Sequence, residues 1–119
     1  MKNFATVVQH DKSISVVLPI EAAEVLAIGD KLEALREEAY MNGYNWAALL
    51  DRYLTQHHPS LKQDLETDPE AGTYVAYYPA NSANLQRATQ LAALLNELLQ
   101  QPQQLYSFVQ AEGDTIEWD

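Results

Sequence analysis

Asn42-Gly43-Tyr44-Asn45-Trp46 is the stretch of this sequence that decides how its helices are joined. Asn42 and Gly43 are residue types that enter a left-handed backbone conformation at low cost, so they predict the end of the apolar-periodic run before them. Asn45 predicts the N-cap of the following run, because its side-chain oxygen can accept from a free amide in the first turn. Tyr44 and Trp46 are large enough to anchor both helices to a core. The stretch therefore predicts a tight corner between two helices.

On the N-terminal side of the corner, residues 20–41 have a helical pattern. One apolar stripe follows that pattern: Ile28, Leu32, Leu35 and Ala39. Gly29 interrupts the run, and Asp30 opens a capping-box spacing just after it. Two arrangements fit this pattern, namely two segments over about 20–28 and 31–41, or one helix kinked at Gly29.

Two β-favouring runs come first in the chain, at residues 4–8 and 14–18, and they flank the polar segment 10–13. This pattern predicts an antiparallel hairpin. The second run ends in consecutive apolar residues, so we expect that strand to be covered on both faces. Pro19 then ends it.

On the C-terminal side, a second helix should run from the corner to near His57-His58, because Pro59 disfavours helix at the residue before it. Residues 68–72 have turn chemistry, with Gly72 at a positive φ. Residues 73–78 are β-branched and aromatic and predict a strand, so a second hairpin follows.

A long amphipathic helix should begin after a cap at Asn81 or Ser82 and continue to about Gln101. Pro102 breaks it and can start a shorter helix. For the acidic tail, residues 111–119, both a frayed end and a docked edge strand fit. The whole pattern predicts an α+β fold in one domain, residues 1–119: a small antiparallel sheet from two hairpins, with helices packed on one side.

The composition narrows the class of function. The 119 residues are 47% apolar and carry a net charge of −10, with −3 in residues 1–60 and −7 in residues 61–119. Such a field repels nucleic acid and anionic membranes and attracts basic proteins. The chain has no cysteine, no run long enough to cross a bilayer, and no signal-peptide pattern in its first residues. We therefore expect a cytoplasmic protein with a protein partner.

The sequence lacks the usual catalytic and metal-binding motifs. Side chains of His57 and His58 diverge by roughly 100° on a helix, so they cannot both hold one ion. No HExxH pair, nucleophile elbow or phosphate-cradling glycine loop occurs in the sequence. We expect no metal, no cofactor, no small-molecule substrate and no enzymatic activity.

Acidic residues do form a pattern, because Asp64, Glu66, Asp68 and Glu70 fall at every second position. In an extended segment such residues project to one face, here beside a tyrosine-rich strand that begins with Tyr74. Carboxylates pair with Lys or Arg, and tyrosine supplies contact area, so this surface suits a basic protein partner. The alternative is a solvated edge strand that its charge protects from aggregation.

The segments 42–46, 53–59 and 68–77, with the sequences NGYNW, YLTQHHP and DPEAGTYVAY, resemble the immunity protein 51 family. This family contains bacterial antitoxins encoded beside polymorphic or contact-dependent growth-inhibition toxins. The resemblance implies a non-enzymatic cytoplasmic protein that neutralises the C-terminal domain of one cognate toxin. It also implies that the motif residues define the fold: Asn42, Gly43, Tyr44, Asn45, Trp46, Pro59 and Gly72.

Three hypotheses follow. The first is an immunity protein whose acidic surface covers a toxin, for example a nuclease with a basic active site. Its contacts would be Asp64, Glu66, Asp68, Glu70 and Tyr74, and secondarily Asp114, Glu117 and Trp118. The second is a small hydrolase, which requires a deep pocket where a histidine meets a carboxylate. The third is an adaptor that binds another protein through the strand 74–78.

Overall fold

The computed structural model describes residues 3–119, in which β-strands and α-helices make up most of the chain. In chain order these elements are β1 (Thr6–Gln9), β2 (Ser13–Pro19), α1 (Ala23–Leu35), α2 (Gly43–His57), β3 (Glu66–Thr67), β4 (Thr73–Pro79), α3 (Ser82–Gln100) and α4 (Gln103–Glu112). Short 3-10 turns span Pro59–Lys62 and Gly113–Thr115. Met1 and Lys2, where the absence of a signal peptide was inferred, lie outside the described residues.

The four strands form one antiparallel sheet in the order β1-β2-β4-β3. Each predicted hairpin is present, and α2 and α3 pack against the sheet from one side, so the predicted α+β fold is confirmed. One face of the two central strands is buried against these helices: Ile14, Val16, Leu18, Tyr74, Ala76 and Tyr78. The other face, which we call the open face, is only half-buried, as at Val17 and Tyr77. The prediction that β2 is covered on both faces is therefore wrong.

The two helices are joined by a non-helical segment, residues 36–42, which begins with a turn at 37–38, and not by a tight corner. Helix α1 is continuous through Gly29 and ends at Leu35, six residues before the predicted end at 41. Ala39 and Met41 turn into the core while Tyr40 points to solvent. A Cβ at Gly29 would lie 3.1 Å from the Met41 Cβ. The missing side chain thus lets the segment fold back closely against α1.

The roles predicted for Asn42, as the end of the preceding helix, and for Asn45, as an N-cap, are both wrong. Asn42 is the N-cap of α2, and its side-chain oxygen accepts from the Asn45 N–H at 2.9 Å. Asn45 lies inside the helix and is 2% exposed. Its Nδ2 donates to the Tyr40 carbonyl at 2.8 Å, and its Oδ1 accepts from the Asp119 N–H at 2.6 Å. One buried amide therefore fixes the linking segment and the C-terminus to α2.

Glycine is required at Gly43 for a different reason from the one predicted. No glycine in residues 3–119 has a positive φ, so the left-handed conformations predicted at Gly43 and Gly72 are wrong. A Cβ at Gly43 would overlap the Glu70 carbonyl oxygen and lie 2.6 Å from the Thr73 carbonyl oxygen. The Gly43 N–H also donates to the Ala71 carbonyl at 2.8 Å. The start of α2 is thus packed directly on the β3–β4 turn.

The remaining boundaries follow the sequence closely. Trp46 is buried as an anchor, whereas Tyr44 is exposed. Helix α2 ends at His57 as predicted, and α3 begins after an Asn81 cap whose side chain accepts from Asn84 at 2.7 Å. Pro102 separates α3 from α4, also as predicted.

The tail is docked, but not as an edge strand. Ile116 is buried in the core. The Trp118 indole N–H donates to the Gly113 carbonyl at 3.1 Å, and Asp119 is held by Asn45 as described above. These contacts hold the C-terminal segment against the beginning of α2.

Candidate partner-binding surface

Three of the predicted acidic residues line one edge of the open face, and we call Glu66, Asp68 and Glu70 the acidic ladder. Glu66 is paired with Tyr77 across the β3–β4 ladder. The Asp68 N–H donates to the Val75 carbonyl at 2.9 Å, and Glu70 forms a bridge with Thr73. This constant register places the three carboxylates on the same side of the sheet, about 7 Å apart along the edge.

The structure does not place Asp64 in this row. Asp64 has a φ of 63°, which turns the chain out of the extended conformation just before β3. Its carboxylate lies 3.3 Å from the Asn84 amide nitrogen, at the beginning of α3. Acidic residues recur at every second position from Asp64 onward, but the extended backbone conformation does not include Asp64.

Tyr74 also lies away from the open face. It is 1% exposed and faces the helices, so its side chain offers no surface to a partner. Burial raises the pKa of the Tyr74 hydroxyl, with further contributions from Tyr78 and Asp51. Successive residues of β4 face opposite sides of the sheet, which leaves Tyr77, on the open face, as the tyrosine beside the ladder.

The acidic ladder has no cationic neighbour bound to it in residues 3–119. Lys62, the basic residue closest in sequence, pairs instead with Asp51 at 2.8 Å and with the Thr55 hydroxyl. The three ladder side chains are exposed. Unneutralised carboxylates on an open sheet edge can pair with Lys or Arg of another protein without breaking an existing ion pair.

The secondary candidates near the C-terminus belong to a separate region. Asp114 pairs with Arg36 at 2.8 Å, at the end of α1. The Trp118 indole is half-buried and its N–H is already bonded, while Glu117 is exposed. The structure therefore does not bring Asp114 or Trp118 to the ladder.

His57 lines a groove between α2 and α4, of about 550 Å³. The His57 ring stands 4.7 Å from the Tyr53 ring and 5.8 Å from the Phe108 ring, measured between centroids. Burial and the charge of Glu97 raise the pKa of Tyr53, whose hydroxyl donates to Gln104 at 3.1 Å. Glu112 lines the groove, but neither histidine side chain hydrogen-bonds a carboxylate in residues 3–119. The pairing that the hydrolase hypothesis requires is not formed.

Sequence reasoning missed a second exposed feature, which lies between α1 and the linking segment. Tyr40 and Leu26 are 65% and 45% exposed there. Leu26 falls outside the apolar stripe of α1, and an apolar residue on the polar side of a helix is a signal that could have found it.

Residues 3–119 contain no group of three or more His, Asp or Glu placed to hold a metal ion. Among the helices described here, none combines the length and the apolar character needed to cross a membrane.

Comparison with known protein families gives a match over nearly the whole chain. The sequence model of the family described as immunity protein 51 matches residues 5–114, which is nearly the whole chain. No curated protein and no solved structure matches the chain.

Proposed function

The chain belongs to the immunity protein 51 family, and from this membership we propose that it binds one cognate toxin domain and neutralises it by covering its active surface. An immunity role in general follows from the family. We further propose that the toxin is delivered by contact-dependent inhibition or by a related secretion system.

The observation that supports a binding role most directly is the acidic ladder on the open face. In residues 3–119 its three carboxylates are exposed beside Tyr77 and form no ion pair, and no helix covers the sheet face next to them. A half-buried apolar centre with a charged rim is the composition of protein-binding surfaces. The net charge of −10 makes a basic toxin surface the complementary partner.

We infer that the toxin is an enzyme acting on a polyanion, with a nuclease as the leading case. The active site of a nuclease must attract phosphates and is therefore basic. An acidic protein that covers such a site would compete with the substrate by electrostatics as well as by sterics. This mechanism needs no bond-making by the immunity protein itself, and we propose that it acts in the cytoplasm of the cell that it protects.

The test uses the protein encoded beside this chain's gene. Its C-terminal domain is expressed in cells from an inducible promoter, with or without the full chain, and growth is measured. We expect growth arrest only without the chain, and a 1:1 complex when both purified proteins are mixed and separated by size. Arrest that the chain does not relieve, or a substrate turned over by the purified chain, would refute the proposal.

A further inference from the structure

A groove of about 390 Å³ lies between one face of α1 and residues 40–42 of the linking segment, and we call it the α1 groove. Its floor is Gly29 and Met41, which approach each other closely because Gly29 lacks a side chain. The β3–β4 turn closes one end through Ala71 and Gly72. The groove is therefore formed by three separate parts of the chain.

Carboxylates surround this groove, and among residues 3–119 no Lys or Arg lines it. Glu21, Asp30 and Glu33 all contribute to its walls. None of the three forms an ion pair with a Lys or Arg in the described part of the chain, whose ion pairs lie elsewhere. Lys31 projects away from the groove, with its ammonium 5.3 Å from the centre of the Tyr106 ring. The groove is thus acidic without internal compensation.

Tyr40 gives the groove an aromatic wall on a fixed backbone. The Tyr40 carbonyl accepts from the Asn45 amide at 2.8 Å and from the Asn42 N–H at 2.9 Å. The neighbouring residues Ala39 and Met41 are buried. Ordering this segment therefore costs little when a partner binds, and an exposed tyrosine on a rigid backbone is the kind of residue that dominates binding energy.

The β3–β4 turn connects the acidic ladder with the α1 groove. Glu70 ends the ladder, and the next two residues, Ala71 and Gly72, line the groove. A partner that lies on the ladder therefore reaches the groove by passing the β3–β4 turn.

We propose that the α1 groove receives an arginine-bearing loop of the toxin, whose guanidinium stacks on Tyr40 and pairs with Asp30 and Glu33. This inference rests on the proposed function and names a further part of the same interface. Arginine fits better than lysine, because its planar cation can stack on an aromatic ring while it pairs with a carboxylate. Leu26 would contact the aliphatic part of the same loop.

The experiment measures binding of the neighbouring gene's toxin domain to four single variants of the full chain by surface plasmon resonance. Tyr40→Ala should raise Kd by about 10-fold or more, mainly through faster dissociation, as for a central aromatic contact. Tyr40→Phe keeps the ring and should bind within about 2-fold of the parent. Leu26→Ala should weaken binding, whereas Leu35→Ala, a similarly exposed leucine on α1 outside the groove, should not.

The carboxylates are tested by a matched pair of double variants. Asp30→Asn with Glu33→Gln should slow association and weaken binding, while Asp11→Asn with Glu37→Gln removes the same charge elsewhere and should not. Circular dichroism and thermal melts establish that each variant is folded, as expected for exposed positions. If the parent binds and the Tyr40, Leu26 and Asp30/Glu33 variants bind equally well, this inference fails and the proposed function stands. If the parent itself does not bind, the proposed function fails.

Discussion

Asn42 and Asn45 are the same residue type three positions apart, yet their environments make them unequal. Asn42 caps a helix with its side chain near solvent, and any short acceptor can do this. Asn45 is buried and uses both ends of its amide, one on Tyr40 and one on Asp119. Asparagine is a favourable capping residue at either position. The two roles differ because the folded chain places Asn42 at the start of α2 and buries Asn45 inside it.

This difference predicts opposite responses to the same substitution. Asn42→Asp keeps the capping acceptor and should change the free energy of unfolding by less than about 0.5 kcal/mol. Asn45→Asp replaces a donor with a buried carboxylate that faces the Tyr40 carbonyl, and should cost about 2–3 kcal/mol at pH 7. Urea unfolding of the two variants against the parent measures both values. Equal effects of the two substitutions would contradict the assigned roles.

At the scale of elements, the C-terminal end of α1 is the boundary that the sequence pattern predicted incorrectly. The apolar stripe through Leu35 and Ala39 predicted a helix to 41, and Ala39 is indeed buried. Ala39 reaches the core from a non-helical segment, in which the alternate residues Ala39 and Met41 turn inward. A residue four positions after Leu35 is therefore buried although the helix has already ended. Gly29, expected either to divide or to kink the helix, instead provides the surface on which that segment packs.

Strand β4 carries a prediction about alkaline pH. Burial raises the pKa of Tyr78 from 10.0 to about 12, and its hydroxyl donates to the Leu61 carbonyl at 2.6 Å. The folded state therefore keeps a proton that the unfolded state loses above pH 10, so this contribution to stability is complete below pH 10 and disappears as pH rises to about 12. A shift of this size corresponds to about 3 kcal/mol.

The variant Tyr78→Phe should be less stable than the parent at pH 7 by about 1 kcal/mol, because it loses the hydrogen bond to Leu61. Its stability should fall less steeply than that of the parent above pH 10. Urea midpoints at several pH values give both curves, and Tyr44→Phe, at an exposed tyrosine, should follow the parent. Parallel curves for Tyr78→Phe and the parent would contradict the prediction.

The acidic ladder carries the prediction for the sheet edge. Reversing two charges, in the double variant Glu66→Lys and Asp68→Lys, should slow toxin association by about 10-fold or more at low salt and weaken protection of cells. The control, Asp11→Lys with Glu37→Lys, changes the net charge by the same amount at positions away from the ladder. Stopped-flow mixing separates association from dissociation. Unchanged affinity of the ladder variant at low salt would remove these residues from the interface.

At the scale of the whole molecule, the sequence predicted how the sheet and helices are arranged, but it did not predict the α1 groove on the surface. Hydrophobic periodicity and the positions of turn and helix-breaking residues predicted two hairpins, helices on one side of the sheet and the break at Pro102. These features depend on local residue patterns. The α1 groove depends on the approach of residues distant in sequence, such as Gly29 with Met41 and Glu21 with Gly72. No local pattern reports such contacts, so Tyr40 was not singled out.

The net charge of −10 leads to the last prediction, on the rate at which the two proteins meet. Between about 0.01 M and 1 M salt the Debye length shortens from about 30 Å to about 3 Å, so attraction at a distance is lost while contacts within the complex persist. Association of the toxin domain should therefore slow by about 10-fold or more over this range, with a smaller change in dissociation. The ladder variant and the parent should associate at nearly the same rate in 1 M salt, because screening removes the difference between them. An association rate that does not depend on salt would mean that the toxin surface is not basic, and the choice of a nuclease as the leading case would then lose its physical basis.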